Sequence, residues 1–258
     1  MKLKNKVVVI TGAGSGIGAA MARRFSIESP AGLMLVDLHG EAAEAIAIEI
    51  GAEHFQMDVS NAEANRQLVE TTEDRFGAID LFCANAGFGV AGSEQSDPGS
   101  WERMWEVNVM SHIHAAKHLI PSWQARGEGY FLSTASAAGL LTNLGAAQYS
   151  VTKHAAVAFA EWLAVTYGDK GIKVSCLCPQ FVNTPLVDAM SELESLIATA
   201  AVLEPQVVAD AVVDGLAAER FLILPHPEVE QYFQNKAGDY DRWIEGMQKL
   251  QRTVLPGQ

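Results

Sequence analysis

The sequence predicts a single α/β domain, a doubly wound parallel sheet of about seven strands with helices on both faces. Three observations carry that expectation. Short apolar, β-branched runs alternate with longer helical patterns, the first run ends in a glycine-rich turn that opens a helix, and no linker, repeat or low-complexity stretch interrupts the alternation. Strands buried on both faces of a parallel sheet read as continuous apolar runs, as Val7-Val8-Val9-Ile10 does.

The elements follow in order. Lys6–Ile10 is the first strand, and its glycine turn feeds a helix at 17–28. Leu33–Asp37 ends in an acid and is followed by a helix at 41–50. Glu53–Met57 precedes a helix at 61–75, and Leu81–Ala84, with Ile79 leading in, precedes a long one at 98–120. Tyr130–Ser133 is followed by a helix at 146–168, Lys173–Cys178 by one at 206–218, and Phe221–Leu224 closes the sheet. Gly-, Asp- or Pro-bearing connections separate these pieces. The sheet accounts for positions 1–225, and 226–258 reads as a helical appendix, so one domain is expected over 1–258.

Composition narrows the function. The 258 residues are 49% hydrophobic and 19% charged, an ordinary globular balance. Lys and Arg number 18 against 31 Asp and Glu, a formal net charge of −13, and no basic cluster offsets it, which argues against nucleic acid and anionic membrane surfaces as partners. Apolar runs fall far short of the roughly 20 residues that span a bilayer, and the start Met1-Lys-Leu-Lys-Asn-Lys lacks a signal-peptide pattern. A cytoplasmic protein is expected. Cys83, Cys176 and Cys178 sit in apolar runs and read as reduced core residues.

Two helices do not keep their apolar residues to one face. Around Tyr149–Val165 and Trp101–Ile113 the apolar positions run nearly all round, and a helix of that kind must be buried all round. A second copy of the chain is one cover, giving a homo-oligomer (dimer or homotetramer) through the helices at 98–120 and 146–168; the C-terminal helices are the other.

The first strand ends in Thr11-Gly12-Ala13-Gly14-Ser15-Gly16-Ile17-Gly18. Four glycines in seven positions let the backbone turn tightly and approach a pyrophosphate, while the following helix offers free N–H groups to the anion. Asp37 closes the second strand about 20 residues further on, where a carboxylate can accept hydrogen bonds from ribose hydroxyls. A 2′-phosphate there would meet a negative charge that Ser15, Leu38 and His39 do not offset, so NAD is favoured over NADP. The competing reading makes Asp37 a plain cap for the next helix.

Tyr149 and Lys153 stand four apart on a helical stretch and share a face. A free tyrosine, with a pKa of about 10, is a poor base at neutral pH, but a neighbouring cation and a bound oxidised nicotinamide both favour the phenolate and make it a usable general base. The spacing alone is also that of an ordinary surface pair.

Taken together these motifs resemble the short-chain dehydrogenase/reductase family, and they stand in family order from residue 6 to residue 184. Thr11-Gly12-x-x-x-Gly16-x-Gly18 resembles its cofactor turn, Asp58-Val59 its adenine-contacting pair and Asn85-Ala86-Gly87 its element after the fourth strand. Asn108, Ser136, Tyr149 and Lys153 match its active-site residues. The resemblance implies a Rossmann-like fold and hydride transfer between NAD(H) and a secondary alcohol or ketone. It implies Tyr149 as acid or base, Ser136 as the donor to the substrate oxygen, Lys153 on the tyrosine and the nicotinamide ribose, and Asn108 positioning a relay water. The implied cofactor set is Gly12, Ser15, Gly16, Ile17, Gly18, Asp37, Leu38, Asp58, Val59, Asn85, Ala86, Gly87, Tyr149, Lys153, Pro179, Val182 and Thr184.

Two positions depart from the family pattern. Ala84 replaces the first of two asparagines, and Gln180 replaces the glycine of Pro-Gly-x-Val-x-Thr, which puts the local loop geometry in question. Residues 186–202 read as a helical stretch and correspond to the family's variable substrate lid; their apolar stripe Leu186, Val187, Met190, Leu193, Leu196, Ile197, Ala200 either lines a pocket for a hydrophobic substrate or packs on the domain. The aromatic-rich helical segment at 226–252 covers either that pocket or a subunit contact. His112, His114 and His118 invite a metal reading, but only the last two share a helix face and no acid or cysteine completes a ligand set, so no metal is expected. A cofactor-binding regulator without turnover, and isomerase or dehydratase chemistry on the same scaffold, remain rival readings.

Overall fold

The computed structural model describes residues 1–188, 194–198 and 200–255. Seven parallel strands form the central sheet: β1 (Val7–Thr11), β2 (Gly32–Asp37), β3 (Glu53–Gln56), β4 (Leu81–Ala84), β5 (Gly129–Thr134), β6 (Ile172–Leu177) and β9 (Leu222–Ile223). A separate two-stranded ribbon pairs β7 (Phe181–Val182) with β8 (Val202–Leu203). The sheet order is β3-β2-β1-β4-β5-β6-β9, so the doubly wound expectation is borne out.

Alternation along each strand builds two cores. Val7 and Val9 face one side, packing with Leu68 of α3 (Ala62–Phe76), Leu119 of α5 (Ser111–Arg126) and Ala156 of α6 (Ala147–Tyr167). Val8 and Ile10 face the other, packing with Met21 and Phe25 of α1 (Gly16–Ser26), Ile46 of α2 (Gly40–Ile50) and Val212 of α9 (Pro205–Ala217). The chain leaves β1 toward β2 on one side and returns to β4 on the other. That reversal opens a crevice at the carboxyl ends of β1 and β4, the usual place for a ligand in such a sheet.

Three expectations are corrected. The helix expected at 98–120 is α4 (Pro98–Trp105), one π-helical turn (Glu106–Met110), then α5. Its start is set by Asp97, whose carboxylate accepts from Gly99 N at 2.9 Å, and by Pro98, whose fixed φ suits a first turn. The stripe at 186–202 is not one helix but α7 (Pro185–Asp188), α8 (Glu194–Ile197) and then β8, because Asn183 N bonds to Leu203 O at 2.9 Å and draws that end into the ribbon. Met190 and Leu193 lie outside the described residues. Strand ends also differ from the expected bounds by a residue or two.

The all-round apolar helix α6 has an open outer face within one chain. Val165 is 85% exposed and Trp162 54%. The C-terminal pair α10 (Glu228–Gly238) and α11 (Tyr240–Val254) lies elsewhere: Val254 and Leu255 pack with Met104, Leu144 and Tyr149 at the catalytic end of α6. No helix among the described residues is long and apolar enough to cross a membrane.

Candidate active site

The glycine turn is built by contacts that side chains would break. Gly12 holds φ +66°, and a Cβ on Gly18 would lie 2.0 Å from the Gly12 carbonyl oxygen. Thr11 ties this turn to the end of β4: its Oγ1 accepts from Asn85 N at 2.9 Å and Ala86 N at 3.0 Å, and Asn85 Nδ2 donates to Thr11 O at 3.0 Å. Asp37 closes the crevice, its Oδ2 accepting from Gly14 N at 2.9 Å and its Oδ1 from His39 N at 3.0 Å. Each oxygen keeps a lone pair for a further donor.

Every residue expected to hold the cofactor lines one cleft of about 680 Å³, from Gly12 and Asp37 at one end to Tyr149, Lys153 and Thr184 at the other. His39 lines it too, as do Arg103 and Phe88, which sequence reasoning missed. Arg103 Nη2 donates to Asp58 Oδ2 at 2.8 Å, and Ser60 N and Oγ donate to Asp58 Oδ1 at 2.9 and 2.7 Å. Burial opposes the Asp58 charge, but these bonds from Ser60 and Arg103 hold its carboxyl below the ordinary range. Its carboxylate is thus largely engaged within the protein.

The four expected catalytic side chains converge at the inner end of this cleft. Ser136 caps the short 3₁₀ turn Ala137–Gly139, accepting from Ala138 N at 3.1 Å and donating to Pro179 O at a long 3.4 Å. Tyr149 and Lys153 project from the buried face of α6, with Lys153 Nζ donating to Thr134 O at 3.0 Å. Asn108 sits within the π-helical turn, a distortion that often marks functional sites. Its Oδ1 accepts from Phe88 N at 3.0 Å while its Nδ2 donates to Phe88 O at 2.9 Å and Thr152 Oγ1 at 3.2 Å, which pins the loop after β4 to α6.

The electrostatics differ from the sequence expectation in one respect. Burial pushes the Tyr149 phenol above its usual value, and the hydrogen bond with Ser136 pulls it back only in part. Burial also lowers Lys153 to about 8. Desolvation is the largest influence, and the phenol is the favoured form of Tyr149 in the protein alone.

A second cavity, of about 760 Å³, opens on Ser136 and Tyr149 from the other side. Leu186, Leu196 and Ile197 line it, as do Tyr232 and Trp243 from α10 and α11, so the described part of the stripe and the C-terminal segment both border this space. Gln180 lines both cavities; its N–H donates to His226 Nδ1 at 3.1 Å, and its buried Oε1 has no hydrogen-bond partner among the described residues.

The model of the family described as "short chain dehydrogenase" matches residues 6–195. The chain belongs to that family. It is 30% identical to 1-deoxy-11-beta-hydroxypentalenate dehydrogenase of Streptomyces exfoliatus, over 95% of this chain and 91% of that one. It is 33% identical to meso-2,3-butanediol dehydrogenase of Serratia marcescens, over 85% of this chain and 90% of that one. Among solved structures, a short-chain dehydrogenase/reductase from Burkholderia phymatum in complex with NAD superposes with a TM-score of 0.86 at 28% identity, covering 93% of this chain and 96% of that one.

In this short-chain dehydrogenase the histidines of α5 do different things. His112 is buried, its Nδ1 within 3.0 Å of Ser133 Oγ, and burial followed by the nearby Lys153 charge lowers it to about 3. His114 is partly exposed, and among the described residues no three His, Cys, Asp or Glu side chains stand where they could hold a metal ion. The positions around the site that sequence missed, Arg103 in the cleft and His226 behind Gln180, belong to no motif; both reach their places through the fold.

Proposed function

We propose that the protein is an NAD-dependent dehydrogenase of a bulky, largely apolar secondary alcohol, running equally on the matching ketone in reverse. One observation carries the reading: Tyr149 lines both the dinucleotide-sized cleft and the apolar cavity, so a proton donor and acceptor stands where the two spaces meet. The residues present fit a dinucleotide. A glycine turn that tolerates no Cβ at Gly18 leaves backbone N–H groups for a pyrophosphate, and Asp37 offers free lone pairs at the ribose end. Bound there, NAD would supply the hydride acceptor, and NADH the donor.

The protein's own groups handle the proton. Tyr149 in its phenolate form takes the hydroxyl proton of the alcohol as the carbon loses hydride, and as a phenol it returns that proton to the ketone oxygen. The long Ser136 bond to Pro179 O is weak enough to be exchanged, leaving the Ser136 hydroxyl to donate to the same substrate oxygen. Lys153 stabilises the phenolate once it forms, and Asn108 holds the Phe88 loop beside it, with the relay of the proton to solvent running past both.

The substrate class rests on the larger cavity, whose walls are more apolar than polar, with leucine and aromatic side chains beside a polar rim that includes Asn143, Gln234, Asp239 and Arg242. The relatives support an alcohol: one is named for a hydroxypentalenate, the other for a butanediol. The open face of α6 around Val151, Trp162 and Val165 supports a homo-oligomer through that helix and its neighbours α4 and α5. Three free, buried cysteines support a reducing, cytoplasmic location.

The test is the absorbance of reduced nicotinamide with NAD and NADP across small, aryl and polycyclic secondary alcohols, with Tyr149→Phe alongside. NAD-linked turnover that the substitution removes is expected; NAD binding with no turnover on any alcohol or ketone would favour a cofactor-sensing protein instead.

A further inference from the structure

Lys236 is a buried cation without a carboxylate. Only 7% of it is exposed, and among the described residues no Asp or Glu stands within ion-pair distance of its ammonium. Its Nζ instead donates to Leu140 O at 2.8 Å and Leu141 O at 2.7 Å, and lies 3.5 Å from His154 Nε2. His154 Nδ1 is 2.8 Å from Ser150 O, which fixes that nitrogen as the N–H and leaves Nε2 as an acceptor toward the lysine. Two aromatic faces complete the surroundings, with Nζ 4.9 Å from the centre of Trp243 and 5.5 Å from that of Tyr240.

These contacts join three parts of the molecule at one atom. Leu140 and Leu141 directly follow the turn that Ser136 caps, His154 adjoins Lys153 on α6, and Tyr240 and Trp243 belong to α11. Lys236 itself stands in the last turn of α10. Besides this point, the α10–α11 pair is held by Val229 in the main core and by Met247, Leu250, Val254 and Leu255 in the cluster beside Tyr149. Trp243, between these anchors, joins Met247 in the wall of the 760 Å³ cavity.

We propose that Lys236 is a specificity-determining positioning residue, an ammonium clamp that fastens the α10–α11 cap to the loop after Ser136 and so fixes the outer wall of the substrate cavity. This rests on the dehydrogenase reading above. The physics favours a clamp over simple packing. A buried ammonium must satisfy its three donors, and a fixed carbonyl pair with two aromatic faces does so in one geometry, so the cap has one docked position. Replacing the ammonium with an apolar end leaves two buried carbonyls of the catalytic loop unpaired, which favours separation of cap and loop. A large substrate that spans the cavity would feel the loosened wall. A small one that reaches only Tyr149 and Ser136 would not.

Lys236→Met, which keeps the stem, and Lys236→Arg, which keeps the charge, test this on the full chain. Hydrogen exchange is the first readout: Met should speed exchange at least tenfold in α11 and in residues 140–142 while α5 and β5 stay unchanged, and Arg should restore most of the protection. Kinetics is the second. With NAD, Lys236→Met should raise KM for epiandrosterone, a polycyclic secondary alcohol, at least tenfold with kcat changed less than threefold, and leave KM for cyclohexanol within threefold. Unchanged exchange in the cap, or an equal loss on both alcohols, would overturn the clamp. Absence of turnover by the unsubstituted protein on either alcohol would count against the dehydrogenase reading, and exchange would still decide the clamp.

Discussion

The Lys153 ammonium stands 5.7 Å from the centre of the Tyr149 ring, and burial acts on the two groups in opposite directions. The phenol is raised and the ammonium is lowered to about 8, so burial favours the neutral form of each group. This makes direction of reaction depend on pH. Ketone reduction uses the phenol as acid and should stay fast at neutral pH, whereas alcohol oxidation uses the phenolate and should climb with pH beyond 8. The pH profiles of kcat/KM in the two directions check this, and an oxidation rate that is flat from pH 6 to 9 would count against Tyr149 as the base.

Removing the phenol oxygen separates chemistry from binding. Tyr149→Phe keeps the ring that packs with Met104 and Leu144, so the fold and cofactor cleft should survive. General acid–base catalysis contributes about 10²–10⁴-fold, so kcat should fall by at least ~100-fold with little change in NADH affinity. Single-turnover absorbance and NADH fluorescence titration measure the two effects independently.

Asp37 should decide the cofactor. Its oxygens already hold Gly14 N and His39 N, and a 2′-phosphate placed beside it would add a second anion. Asp37→Ser should lower kcat/KM for NAD by roughly tenfold, the worth of about 1.4 kcal/mol, and raise that for NADP. An unchanged ratio of the two efficiencies would place the ribose elsewhere.

How far the site was legible depended on whether its residues belong to a local motif. The glycine turn, Asp37 and the Tyr149–Lys153 pair are each set by a few adjacent positions on one strand or helix, and the fold assembles them as the sequence order implies. Arg103 and His226 were not legible, because each is 45 or 46 residues from its partner and the pairing exists only after folding. The ribbon of β7 and β8 was missed for a related reason: two residues carry no periodicity. The upward pull of burial on Tyr149 was not legible, because sequence shows a neighbouring lysine but not the depth at which both groups sit.

His112 predicts an acid-side weakness. Its proton affinity in the fold is lowered to about 3 against about 6.5 when exposed. Between those values the unfolded chain binds the extra proton and the folded one does not, so stability is lost as pH falls below about 6.5. Each pH unit in that window costs about 1.4 kcal/mol, or roughly 2 kcal/mol by pH 5. Urea unfolding at pH 7 and pH 5 should show that loss, and His112→Gln should flatten it; a slope unaltered by the substitution would assign the acid sensitivity to carboxylates.

Trp162 offers the last test, on assembly. It is 54% exposed on α6, stacked on Phe159 at 6.3 Å between ring centres, with Val165 one turn further on at 85% exposure. An aromatic and a valine bare on one face of a buried helix form the centre of an interface more readily than a solvated surface, since Trp is enriched among residues that dominate binding energy. Trp162→Glu puts a charge at that centre without touching Tyr149 or Lys153, which face the opposite side. Sedimentation of the unsubstituted protein should give a mass that is a multiple of one chain, and the Trp162→Glu protein should sediment as a smaller species at the same concentration. A monomer in both cases would remove the oligomer and leave the apolar face of α6 without its proposed cover.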